Sequence, residues 1–148
     1  MIGGSFSSSK KLEEKLKSLA VESREETLNQ IIDSTLKVHA IAVKSIQQHQ
    51  SSGRIYKRNG VDHSASLPGF PPNSDTGNLV RNIAFKIDAE KLEGEVGSDI
   101  EYAKFLEFGT SKMEPRPWLL PALEAVAPDY AKEMKEKLNK LYKAGGLK

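Results

Sequence analysis

The chain predicts an α+β fold: a small antiparallel sheet of three to four strands packed against a long N-terminal helix and a C-terminal helix, with a long Pro/Gly-rich loop. Three observations carry this. From Lys10 to about Gln50, Leu12, Leu16 and Leu19, then Leu28, Ile31, Thr35, Val38, Ala42 and Ile46, recur at spacings of three, four or seven, as on one face of a helix. From Ile83 the period shortens to two, as Ile83, Phe85 and Ile87 alternate with Ala84, Lys86 and Asp88. Around Gly109 a helix stops, two prolines hold the chain extended, and a second helix starts at Pro117-Trp118.

Taken in order, residues 1–9 are Gly/Ser-rich and read as a flexible end. The helix over 10–50 follows. Its run from Glu22 to Thr27 has no apolar residue, so the helix breaks there or passes over solvent. Ser51, Ser52 and Gly53 stop it, Arg54 to Lys57 form a short strand, and Arg58-Asn59-Gly60 make its turn. Residues 58–75 then form one long connection with three prolines, two glycines and Phe70, which we expect to be mobile in the free protein. Asp75 or Thr76 is placed to cap a short helical turn through Val80.

The strand from Ile83 turns at Ala89-Glu90-Lys91 and returns over Leu92 to Val96, a hairpin with one face on a core. Tyr102, Phe105, Leu106 and Phe108 read as the buried face of a short helix, which Gly109 ends by taking a positive φ. The last helix spans 118–143, with Leu120, Leu123, Ala127, Tyr130, Met134, Leu138 and Leu141 on its apolar side. Pro128 predicts a kink near Ala127, and Gly145-Gly146 end the helix.

With 148 residues, the chain is about one domain, 1–148. Hydrophobic residues make up 38% and charged residues 28%, on the polar side for a globular chain, so part of the surface is expected to await a partner. There are no cysteines, which rules out disulfides and thiolate metal sites. No apolar run reaches signal-peptide or membrane-span length, so a soluble intracellular product is expected. The 22 basic and 20 acidic residues balance to +2, too even to mark a nucleic-acid binder.

The chemistry of a catalytic or metal site does not assemble from these residues. His39 and His49 lie ten residues apart on the first helix, about 15 Å along it, too far to share a metal. His63 sits in the loop beside Asp62 with no neighbour in sequence to hold it. The pairs Glu13/Glu14 and Glu25/Glu26 diverge on a helix. No enzyme activity, no cofactor and no metal is therefore expected, and the glycines at 69, 77, 94, 97 and 109 fall at turns and element ends. Glu107 and Arg116 stand out as a candidate ion pair, within the chain or between subunits, which would fix the loop's path if partly buried.

One ordered series of short motifs remains. Pro68, Gly69, Pro71 and Pro72 are followed by Asp75-Thr76-Gly77 with Leu79, then Val96-Gly97, Tyr102-Ala103, Leu106-Glu107 with Gly109-Thr110, and Arg116-Pro117-Trp118 with Pro121-Ala122. The order over roughly 53–125 resembles the tail-completion or neck proteins of long-tailed bacteriophages; the first fifty residues match only as generic helix. The resemblance implies a structural virion protein at the head–tail junction, made in the host cytoplasm. It implies one that is a monomer or small oligomer when free, and forms a ring with tail-tube or tail-terminator and head connector proteins. No membrane is involved, and nucleic acid only as DNA passing through the ring.

On that reading the 58–75 loop is an arm anchored by Phe70, and the expected assembly interface is Pro68, Phe70, Pro71, Pro72, Asp75, Glu107, Arg116 and Trp118. The runner-up is a small nucleic-acid-binding module using Lys10, Lys11, Arg54, Lys57, Arg58 and the C-terminal lysines, and a third possibility is an adaptor that binds one partner helix.

Overall fold

The computed structural model describes residues 7–48 and 52–144. In chain order its elements are α1 (Ser7–Gln48), β1 (Ile55–Arg58), β2 (Val61–Ser64), α2 (Asn78–Arg81), β3 (Ile83–Asp88), β4 (Glu93–Ser98), α3 (Glu101–Phe108) and α4 (Leu120–Ala144). The expected stops at Ser51 and at Gly145-Gly146, and His49, lie outside the described residues, as do residues 1–6 of the flexible end. Residues 7–9 of that end are already helical, as serine is well tolerated in a first turn.

One frame explains the rest: α1 lies antiparallel to α4 and carries the β3–β4 hairpin beside it. Side-chain partners descend α4 as they climb α1. Lys137 Nζ lies 3.5 Å from Glu26 Oε2, the Thr27 hydroxyl 3.9 Å from Met134 Sδ, and Gln30 Nε2 donates to Glu133 Oε2 at 2.6 Å. The helix does not break at the polar run. Arg24 uses it instead, its Nη2 donating to the carbonyls of Ala89 (2.8 Å) and Glu90 (3.0 Å) at the hairpin tip. On the exposed side Lys17 Nζ pairs with Glu13 Oε1 at 2.7 Å.

The core is one cluster of Val38, Ala42, Ile46, Leu79, Ile83, Ala103, Trp118, Ala122 and Val126. Trp118 is only 3% exposed. Burying an indole of that size contributes about 4–6 kcal/mol of apolar transfer, before the entropy of ordering it. His39 joins helix to sheet: its Nε2 lies 3.2 Å from the Ile83 carbonyl and its ring meets Phe85 edge-on at 5.3 Å. At Gly94 strand and helix approach so closely that an added Cβ would coincide with the Thr35 side chain.

Two expectations about strands change. Among the described residues there is no sheet of three to four strands; the strands pair as two separate antiparallel hairpins, β1 with β2 and β3 with β4. The connection over 58–75 is not a bare loop either, because Val61–Ser64 return along β1 with Tyr56 opposite His63 and Arg58 opposite Val61. The physical reason is the Asn59-Gly60 turn, whose positive φ values of 52° and 81° suit a two-residue hairpin. In the remainder, the N–H of Gly69 donates to the Pro115 carbonyl at 2.9 Å, and Asn73 Nδ2 to the Ser64 carbonyl at 2.9 Å. The C-terminal helix runs without interruption through Pro128. Among the described residues, no helix is long and apolar enough to cross a membrane.

Candidate assembly interface

The region where α3 ends and α4 begins gathers most of the residues picked out from sequence. Gly109 closes α3 with φ 76° and ψ −175°, a region essentially confined to glycine. A Cβ there would come within 2.7 Å of the Met113 carbonyl oxygen. The chain then makes a tight turn in which the Thr110 N–H donates to the Met113 carbonyl at 2.7 Å, and crosses through Pro115 and Pro117 to Trp118.

Glu107 governs this crossing, in a different way from that expected. Its carboxylate is buried and accepts three backbone N–H groups: Trp118 (2.8 Å) and Leu119 (3.0 Å) on Oε2, and Leu120 (2.8 Å) on Oε1. These are donors at the start of α4, which have no partner within the helix. A carboxylate at that place meets both the donors and the positive end of the helix dipole. The Glu107–Arg116 ion pair therefore does not form within the chain. Arg116 points elsewhere, with Nε donating to the Ser66 carbonyl at 3.2 Å, Nη1 to the Glu114 carbonyl at 3.4 Å, and its backbone N–H to the Leu106 carbonyl at 2.6 Å.

The buried face of α3 is also reversed. Ala103 and Glu107, one helical turn apart, face inward, with Leu106 partly covered. Tyr102, Phe105 and Phe108 are 42%, 40% and 77% exposed. The inward side has to admit the Trp118 ring, whose Nε1–H donates to the Ala103 carbonyl at 3.4 Å, and only a small residue leaves room for it. The aromatics are thus displaced to the surface, and Leu120 at the start of α4 is itself 49% exposed.

Asp75 does not cap α2; the backbone N–H of its first residue, Asn78, donates instead to the Thr76 hydroxyl oxygen at 3.3 Å. Asp75 clamps the β1–β2 hairpin: Oδ2 accepts from Arg58 Nη1 at 2.8 Å, and Oδ1 lies 2.7 Å from His63 Nδ1, on whose ring Tyr56 stacks at 5.6 Å. His63 is thereby held, although its sequence neighbours gave no sign of it. Of the remaining interface candidates, Pro68 and Phe70 stand on the surface, Pro71 is partly covered, and Pro72, Glu107 and Trp118 are buried. The structure brings Glu107 and Trp118 into direct contact and ties Arg116 to the loop through Ser66, but leaves Asp75 at the hairpin.

Sequence reasoning missed the exposed aromatic face of α3. The one signal for it was the i, i+4 pair Ala103/Glu107, which is polar at one end and so was not read as a buried face. Basic residues of the nucleic-acid reading are partly engaged within the chain, Arg58 by Asp75 and Lys57 by Asp62 at 4.0 Å. Among the described residues no cluster of His, Asp or Glu has the geometry to hold a metal ion.

Comparison with known families decides the larger question. Residues 10–109, more than half of the chain, match the model described as "Bacteriophage HK97-gp10, putative tail-component". The chain belongs to this HK97-gp10-like family. The match takes in most of α1, the hairpins and the whole of α3, so the N-terminal helix is part of the family pattern and not an unrelated extension. It ends at Gly109, so Glu107 lies inside the family's span and its partners Trp118 to Leu120 lie beyond it. No curated protein and no solved structure matches the chain. Membership makes it a phage tail-related structural component, a class whose products belong to the virion.

Proposed function

We propose that this HK97-gp10-like chain is a non-enzymatic structural protein of the head–tail junction, which completes or caps the tail and joins it to the connector as the subunit of a ring. The observation that carries the reading is the rigid α3–α4 crossing. The Glu107 carboxylate fixes two helices relative to one another and leaves Tyr102, Phe105, Phe108 and Leu120 facing outward. Large apolar side chains held on a rigid support are what a protein interface uses as anchors.

The exposed apolar side chains agree: Leu12, Ile55, Phe70, Phe85, Phe108 and Leu123 all stand on the surface. A subunit that covers such residues only on assembly orders against its neighbours.

The test is a pair of measurements on the full chain. Light scattering, alone and with the tail-tube and connector proteins of the same phage, is expected to give a monomer or small oligomer that enters a defined ring only in the mixture. Phage deprived of the protein are expected to accumulate heads and tails that do not join. Joined, infectious particles in its absence would overturn the reading.

A further inference from the structure

We propose that the N-terminal overhang of α1 docks in the apolar groove between β4 and α4 of a second copy, a head-to-tail contact that repeats from subunit to subunit. The inference rests on the ring reading above and supplies its contact surfaces.

The overhang follows from the antiparallel frame. The hairpin tip meets α1 at Arg24, and the Glu26–Lys137 pair sets the level of α4, so the end of α4 at Ala144 reaches about residue 19 of α1. Residues 10–18 project beyond both and are all exposed. Leu12 and Leu16 are 52% and 46% exposed, with Leu19 on the same side one turn on. These leucines do not continue the core stripe. At 3.6 residues per turn they sit roughly 110° around the helix from the line of Ile31, Thr35, Val38, Ala42 and Ile46. The single stripe expected from sequence is thus two stripes, and Leu12 and Leu16 of the first stand exposed among the described residues.

The groove lies elsewhere on the same molecule. Val38 of α1 floors it, Phe85 and Val96 form one wall, and Leu119, Leu123 and Val126 the other, enclosing about 920 Å³. Phe85 and Leu123 remain 46% and 51% exposed. Among the described residues β4 pairs with β3 alone, so its outer edge is open toward the groove. The six residues of β4 span about 20 Å, and the overhang from Ser7 to Leu19 about the same. A helix presenting apolar residues at i, i+4 and i+7 to an apolar groove is a recurrent recognition mode.

Charge and connectivity select the occupant. The overhang carries four lysines between Lys10 and Lys17 against Glu13 and Glu14. The groove is bordered by Glu95 and Asp99 against Lys86. A basic helix end therefore meets an acidic mouth. The chain cannot fill its own groove, because the overhang is continuous with the helix that floors it and points away along the same axis. Two different patches joining copy to copy make a heterologous contact, which closes into a ring when the rotation allows.

The absence of native cysteines permits a direct test. L16C and L123C are prepared as separate full-length chains, each checked for native helicity, and mixed under mild oxidation at concentrations where light scattering shows association. The expected result is a mixed L16C–L123C crosslink at least tenfold more abundant than either like pair, lost when L12E is added to the L16C chain and weakened by high salt. As a second arm, L12E/L16E is expected to keep its thermal midpoint and lose self-association. Association of L12E/L16E equal to that of the parent, or no excess of mixed crosslinks, would overturn the contact while leaving a ring built through another surface standing. A chain that stays monomeric up to about 1 mM would overturn it as well, since the contact needs no third component; the junction reading is judged separately, by its ring with partner proteins.

Discussion

The carboxylate of Glu107 accepts the backbone N–H of Trp118 at 2.8 Å from a position one helix earlier in the chain, so the start of α4 is capped by the end of α3. The same oxygen serves Leu119 and the other serves Leu120. Loss of the side chain leaves these donors short of a partner in a covered place, at about 1–3 kcal/mol. We expect E107A to lose about 2–3 kcal/mol and E107Q about 1 kcal/mol, since an amide oxygen still accepts without the charge. Chemical denaturation of the three proteins checks the order. A double-mutant cycle between Glu107 and Arg116 is expected to show coupling under about 0.5 kcal/mol, as the two side chains share no bond.

Gly94 offers a steric test of how the hairpin sits on α1. A methyl at this place meets the Thr35 side chain, whose hydroxyl is engaged with the Ile31 carbonyl at 2.7 Å. We expect G94A to cost about 1–3 kcal/mol, as overpacking in a fitted contact does, and T35A to recover part of it in the double variant. Equal stabilities of G94A and parent would mean that strand and helix stand further apart.

Acid is expected to weaken the α1–α4 pairing. Glu133 is held below its ordinary value of 4.5, first by the hydrogen bond from Gln30 and then by the charge of Lys37. Asp88 is held below its ordinary 3.8, chiefly by the Lys91 backbone N–H. Both groups bind a proton more weakly folded than unfolded, so their contribution is present above those ordinary values and lost as pH falls through the lower folded ones. The urea midpoint is expected to fall as the pH drops below about 4.5, and the fall to be smaller in E133Q.

Asp75 is expected to act locally. Its pairs with Arg58 and His63 lie near the surface, where ion pairs contribute about 0–1 kcal/mol. D75N should therefore leave global stability nearly unchanged while hydrogen exchange speeds up at the β1–β2 hairpin. A large fall in the thermal midpoint would show that the clamp supports the core.

How much of this was legible in the sequence depends on which residues carried the signal. The long helix, the β3–β4 hairpin and the stop at Gly109 were readable because each rests on a local period or a local φ requirement. The strand Val61–Ser64 was hidden inside a stretch dense in turn formers, and only its pairing with β1 defines it. The inward face of α3 was misread because apolar count favoured the aromatics, whereas room for Trp118 decided in favour of Ala103. Glu107 was singled out rightly and given the wrong partner. A side chain seeking a cation and one seeking backbone amides look alike in sequence, and only the approach of α4 separates them.

The antiparallel packing of α1 on α4 also sets the order in which the chain can mature during synthesis. Gln30 and Glu133 are 103 residues apart, so the cover for Val38, Ala42 and Ile46 emerges from the ribosome last. Until then the nascent helix shows that part of its apolar face to solvent and to other nascent copies on the same message. A product cut short before Ala122 and Val126 keeps the cover from Leu79 and Ile83 but lacks the α4 side of the cluster, and such a chain is expected to be handled by chaperones and proteases.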